Sequence, residues 1–103
     1  MSGRPPSLYL VCYDICGDGA PKRWRRVYRA MRAHGEHLQY SVFRCSLSPI
    51  QLEQLLDTLE QVIDSDTDQV MFIPLGQSSA PRSWRAFTIG QSIDDPERVV
   101  RII

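Results

Sequence analysis

The chain has 103 residues, 43% hydrophobic and 23% charged, and 12 Lys and Arg balance 12 Asp and Glu. That length holds one hydrophobic core, and the composition excludes both a disordered chain and a membrane span, which needs roughly 20 apolar residues in a row. A net charge of zero excludes a uniformly basic nucleic-acid coat, yet six of the 12 basic residues fall between Lys22 and Arg32 and four of the 12 acidic ones between Glu53 and Asp64.

The lead-in MSGRPPS has no apolar signal core behind Arg4, which predicts a protein that is not exported. Cys12, Cys16 and Cys45 are odd in number, and the first two are four apart, so neither a disulfide framework nor a zinc knuckle fits. They read as reduced packing thiols of a cytoplasmic protein. Residues 8–15, LYLVCYDI, predict a central first strand, apolar on both faces. GDGAP, residues 17–21, is a loop ending in a proline suited to a first helical position. Trp24, Val27, Tyr28 and Met31 then recur at i, i+3, i+4 and i+7, the apolar stripe of a helix, with Gly35 as its left-handed stop.

Residues 36–47, EHLQYSVFRCSL, are β-branched and aromatic, with no Gly, Asn or Pro to mark a turn. They predict one long strand, or two joined by a kink that periodicity does not locate. Ser48, Pro49 and Gln51 form a capping box opening a second helix, whose buried stripe is Leu52, Leu55, Leu56, Leu59, Val62 and Ile63. DSDTD, residues 64–68, ends it. VMFIPL, residues 70–75, predicts a strand apolar on both faces, with Pro74 favouring a sheet edge. QSSAPRS (77–83) reads as a flexible connection, WRAFTI (84–89) as a short strand, residues 90–96 as a loop, and RVVRII (98–103) as a possible last strand.

This order predicts an α+β protein, a ferredoxin-like βαββαβ sandwich over residues 1–76, with a C-terminal extension over 77–103 that adds a strand. Two helices cover one face of such a sheet, whereas residues 8–15 and 70–75 are apolar on both. A second copy is the simplest cover, so a homodimer is expected, with the strand at 84–89 pairing with the partner's sheet edge.

Asp14 interrupts the first strand, where an ionised carboxylate is costly unless hydrogen-bonded, paired or metal-bound. Two readings stand. It caps the amides of Ile15 to Gly17, or it holds Mg2+, which takes one or two carboxylates plus waters and substrate phosphate. One Asp14 per chain is a thin site; two facing each other across a dimer axis are an adequate one. Asp18 is a second-ligand candidate or a turn residue, and Tyr13 either hydrogen-bonds near the site or packs.

Lys22, Arg25, Arg29 and Arg32 are spaced 3, 4 and 3, one stripe of the first helix, with Arg23 and Arg26 on adjoining rows. No acid lies among residues 22–32 to pair with them at i+4, and the arginine fork suits phosphate, so this helix is expected to bind a polyanion. Glu53, Asp57, Glu60 and Asp64 read as a solvated acidic face, and His34 and His37 as surface or cap residues.

YDI at Tyr13 to Ile15, Arg26-Val27 in a basic helix, Gly35, and QYSVF at Gln39 to Phe43 together resemble the CRISPR-associated Cas-two family. The resemblance spans most of residues 8–76, and Q-x-S-V-F is its most specific element. It implies two strands within residues 36–47 and a homodimer whose last strand joins the partner's sheet. It further implies a metal-dependent endonuclease acting on single-stranded RNA or double-stranded DNA, which is also the central dimer of the spacer-acquisition complex, flanked by Cas-one integrase dimers. Asp14 matches that family's metal-binding aspartate, and Tyr13, Arg23, Arg26 and Phe43 match positions associated with its nuclease cleft. Cys16 and Gly17 depart from the acidic or polar residue common after YDI. The alternative is a non-catalytic DNA-binding scaffold for the integrase; an RNA-cleaving toxin or a ligand-binding regulatory domain fits the arginine stripe less well.

Overall fold

The computed structural model describes residues 4–78, 80–81 and 87–91. In chain order it has β1 (Ser7–Asp14), α1 (Ala20–Arg32), β2 (Glu36–Gln39), β3 (Val42–Leu47), α2 (Pro49–Val62), β4 (Gln69–Gln77), β5 (Ala80–Pro81) and β6 (Phe87–Gly90). The strands form one antiparallel sheet in the order β2-β3-β1-β4-β5, with β6 also on β4. This is the expected ferredoxin-like α+β sandwich, with β1 at its centre.

Strand alternation sorts the side chains. Val11 and Tyr13 of β1, Phe43, Cys45 and Leu47 of β3, and Val70 and Phe72 of β4 face the helices and form the buried core with Val27, Met31, Leu55 and Leu59. Register places Val11 between Phe43 and Phe72, so three large side chains fill the middle of the sheet. Leu8, Leu10, Cys12 and Asp14 alternate with them and face the side without helices. There Leu8, Leu10 and Cys12 stay half-exposed, while Met71 and Ile73 of β4 are buried.

Both helices form where the periodicity placed them. α2 opens on the expected capping box: Gln51 N–H donates to Ser48 Oγ at 3.2 Å, and Ser48 N–H to Gln51 Oε1 at 2.9 Å. α1 starts at Ala20, after a left-handed Gly19 with no side-chain cap, so Pro21 falls within its first turn.

Some expectations are corrected, and the open choice over residues 36–47 is decided for two strands. α1 ends on a right-handed Ala33, and Gly35 does not have positive φ. A Cβ at Gly35 would collide with Cys45 Sγ, so the glycine is there for close approach to β3. The turn between β2 and β3 is at Tyr40 and Ser41, with Tyr40 itself left-handed at φ 43. Pro74 is not on an edge strand: β4 lies between β1 and β5/β6, and Pro74 falls between the described pairings Gln69–Phe72 with β6 and Gly76–Gln77 with β5. Within 77–83, Ala80–Pro81 is a short strand, and the later strand is Phe87–Gly90, so residues 84–86 and RVVRII lie outside the described residues. Within the single chain β6 pairs with β4.

Candidate nucleic-acid and metal site

Asp14 is the last residue of β1 and is exposed, opposite Gln69 in the final rung of the β1–β4 ladder. The carboxylate therefore never enters the core, and the desolvation problem that its place in an apolar run suggested does not arise. Nor does Asp14 cap the following loop, because Cys16 N–H donates to Asp68 Oδ1 at 3.1 Å. Neither salt bridge among the described residues involves Asp14. It is an acceptor-only carboxylate at the rim of the sheet face that both helices leave open.

Asp68 was not singled out by sequence reasoning. Its side chain is fully buried at the entrance to β4. Arg23 Nε donates to Asp68 Oδ2 at 2.8 Å, Asp64 N–H to the same oxygen at 2.8 Å, and Thr67 Oγ1 to Oδ1 at 3.2 Å. Burial pushes the Asp68 carboxyl up, but Arg23 and the donating Asp64 and Cys16 amides outweigh it and hold it below the usual carboxylate range. Arg23 also donates to the carbonyls of Asp18 at 2.5 Å and Cys16 at 2.8 Å. Of the arginines expected on nucleic acid, Arg23 is thus committed inside the fold. The only sequence signal for Asp68 is its position just before an apolar strand, and in DSDTD nothing distinguishes it from Asp64 or Asp66.

The other basic residues behave differently. Lys22, Arg25, Arg26, Arg29 and Arg32 are all exposed, and none takes part in a salt bridge among the described residues. At 1.5 Å per residue the stripe from Lys22 to Arg32 is about 15 Å long. Arg32 donates to Tyr28 Oη at 3.1 Å and lies over its ring, 5.8 Å from the centroid. Glu53, Asp57, Glu60 and Asp64 are exposed as expected, so the helix layer carries one cationic and one anionic helix.

Tyr13 and Phe43 lie in the core, with no surface to offer a nucleic acid: Tyr13 is 5% exposed and Phe43 0%. Tyr13 stacks on Phe43 at 6.2 Å and meets Trp24 edge-on at 6.1 Å, and Trp24 stacks on Tyr28 at 5.3 Å. His37 joins this cluster at 4.8 Å from Phe43, and one of its ring nitrogens lies 2.6 Å from the Tyr40 carbonyl. Burial, then Tyr28, push the Tyr13 hydroxyl up to about 12, with Ser41 offsetting part of the rise. Ser41 lies near enough to act on the Tyr13 oxygen, but among the described residues that buried oxygen makes no well-formed hydrogen bond.

Cys12, Cys16 and Cys45 are free thiols. Among the described residues no three His, Cys, Asp or Glu side chains cluster to hold a metal. Asp18 is exposed in the loop and supplies its carbonyl to Arg23. At Asp14 the described residues of one chain offer one exposed carboxylate, a donor set suited to an ion that keeps most of its water and not to a caged one.

Fold and site together define a ferredoxin-like domain whose first strand ends in a bare acid and whose first helix is cationic. The family described as CRISPR associated protein Cas2 matches residues 7–82. The chain belongs to the Cas2 family. It is 44% identical over 71 residues to "CRISPR-associated endoribonuclease Cas2 2" of Thermodesulfovibrio yellowstonii, covering 69% of this chain and 75% of that protein. It is 35% identical over 95 residues to "CRISPR-associated endoribonuclease Cas2 1" of Rhodospirillum rubrum, covering 92% and 89%. Among solved structures it resembles Cas2 of Streptococcus pyogenes, with a TM-score of 0.60 at 34% identity over 63% of this chain and 81% of that one. No helix among the described residues is long and apolar enough to cross a membrane.

Proposed function

We propose that this chain is a CRISPR-associated, metal-dependent endonuclease that works as a homodimer, hydrolysing phosphodiester bonds of RNA or double-stranded DNA. The observation that carries this reading is Asp14: an exposed carboxylate on the open face of the sheet, relieved of the loop-capping task by Asp68. Stacking two such faces about a two-fold axis brings two Asp14 side chains to one place. Together they would hold Mg2+, which supplies charge neutralisation on the phosphodiester and a water of lowered pKa. Lys22, Arg25, Arg26, Arg29 and Arg32 bind the phosphate backbone and carry no sequence information. The family names of the relatives support the nuclease class.

A second reading keeps the dimer and the basic helices but assigns the chemistry elsewhere: a scaffold that holds a DNA duplex at the centre of a spacer-acquisition complex with Cas-one integrase dimers. The exposed cations of α1, none of them in a salt bridge among the described residues, serve this reading without any metal.

Asp14→Asn separates the two. Losing several kcal/mol of transition-state charge stabilisation lowers Mg2+-dependent cleavage by about 100-fold or more, at 1.36 kcal/mol per decade. Duplex binding, measured by filter retention, is unchanged. Cleavage that survives both Asp14→Asn and chelation of divalent ions refutes the metal site. Wild-type protein that supports spacer integration without cleaving either substrate establishes the scaffold.

A further inference from the structure

We infer that Asp68 and Arg23 are positioning residues: together they clamp the loop that leaves β1 and so set where the Asp14 carboxylate sits. The inference rests on the proposal that Asp14 is the metal-holding acid.

The β1–β4 ladder stops at Asp14 and Gln69, so strand pairing restrains nothing beyond Asp14. The loop that follows contains Gly17 at φ 89 and Gly19 at φ 76, conformations that glycine adopts freely and holds weakly. The restraint comes from the residue next to Gln69. Asp68 Oδ1 accepts the Cys16 amide, two residues past Asp14. From the other side Arg23 binds the carbonyls of Cys16 and Asp18 while its Nε is held by Asp68 Oδ2. The loop is thus gripped at its N–H by the carboxylate and at its carbonyls by the guanidinium. Cys16 Sγ adds a 3.0 Å contact to the Thr67 carbonyl.

The same corner anchors the C-terminal segment. Gln91 N–H donates to the Asp68 carbonyl at 2.6 Å, and a Cβ on Gly90, at φ 88, would collide with that carbonyl. Asp68 is fully buried and cannot itself touch metal or phosphate, so any effect it has on the site passes through Asp14. Groups that hydrogen-bond a metal ligand directly govern metal affinity by about 10–100-fold; this clamp acts through the backbone two residues away, so its effect falls at the low end of that range.

The test measures Mn2+ half-saturation of cleavage, Mn2+ binding by EPR, and exchange of the Cys16 amide, in wild type, Asp68→Asn, Arg23→Lys and Asp14→Asn, all below their melting temperatures. Asp68→Asn is expected to raise Mn2+ half-saturation by about 10-fold and to speed Cys16 exchange, with Arg23→Lys intermediate because it keeps the charge and loses the fork. Should Asp68→Asn not fold, Arg23→Lys and Thr67→Val carry the same readouts in a milder form. A purely structural role predicts lower melting temperatures with wild-type Mn2+ half-saturation, and that result overturns the inference. If Asp14→Asn binds Mn2+ and cleaves like wild type, the proposed metal site fails instead. The clamp is then judged by Cys16 exchange alone, and an unchanged rate in Asp68→Asn refutes it.

Discussion

Tyr13 and Asp14 are neighbours with opposite fates, decided by the two-residue period of a strand. Tyr13 turns into the helix layer and Asp14 onto the open face. The tyrosine arrives with a hydroxyl that makes no well-formed hydrogen bond among the described residues, and burial makes it a phenol that stays protonated at any working pH. An unsatisfied buried polar group costs about 1–3 kcal/mol, so removing it is favourable where the ring's packing on Phe43 and Trp24 is kept. Tyr13→Phe is therefore expected to leave stability equal or to raise it by about 1 kcal/mol in urea unfolding, with cleavage intact. A clear loss of stability would mean that the hydroxyl has a partner in solution; lost cleavage in a stable protein would mean that it serves the reaction. The acidic neighbour was legible from sequence as an anomaly, but for a mistaken reason. An apolar run looked like uniform burial, whereas Asp14 is where the strand runs out. Asp68, the carboxylate that is truly buried, was hidden among three aspartates in five residues, since nothing local tells which of them turns inward.

Helix α1 carries two jobs on one cylinder. Val27 and Met31 pack into the core, Arg23 reaches back to Asp68, and the remaining cations face outward. That division separates structural from ligand-binding arginines, which spacing alone could not do, because Arg23 and Arg26 both lie beside the apolar seam. Each phosphate contact contributes about 0.9 to the slope of log affinity against log salt on duplex DNA. Arg25→Glu with Arg29→Glu is expected to lower that slope by about 2 for each chain of the dimer that touches the duplex and to weaken binding alike across sequences, while leaving melting temperature near that of wild type. An unchanged slope would remove α1 from the footprint. Element boundaries were legible where chemistry marks them, as in the Ser48–Gln51 box, and illegible where it does not. The β2–β3 turn is made by a left-handed tyrosine, a residue that no turn rule selects, and periodicity alone could not break residues 36–47 there.

For the whole molecule the deciding feature is that both helices lie on one side of the sheet. Leu8, Leu10 and Cys12 are left half-exposed on the other, in line with Asp14. Association through this face would bury them and create the two-acid site in the same step, so assembly and activity should fail together. Leu10 is the place to separate assembly from folding. It lies opposite Arg44, which already pairs with Glu36, so a glutamate there would share that cation in the single chain yet be a buried charge in a stacked pair. Because association stabilises the folded state by mass action, wild-type melting temperature should rise with protein concentration. Leu10→Glu should melt at a concentration-independent temperature, sediment as a monomer, keep a wild-type circular dichroism spectrum, and lose cleavage although Asp14 is untouched. Mixing it with Asp14→Asn should not restore activity, since neither chain can then complete a shared site. A wild-type protein that sediments as a monomer and still cleaves would place the whole reaction within one chain and require a second set of ligands.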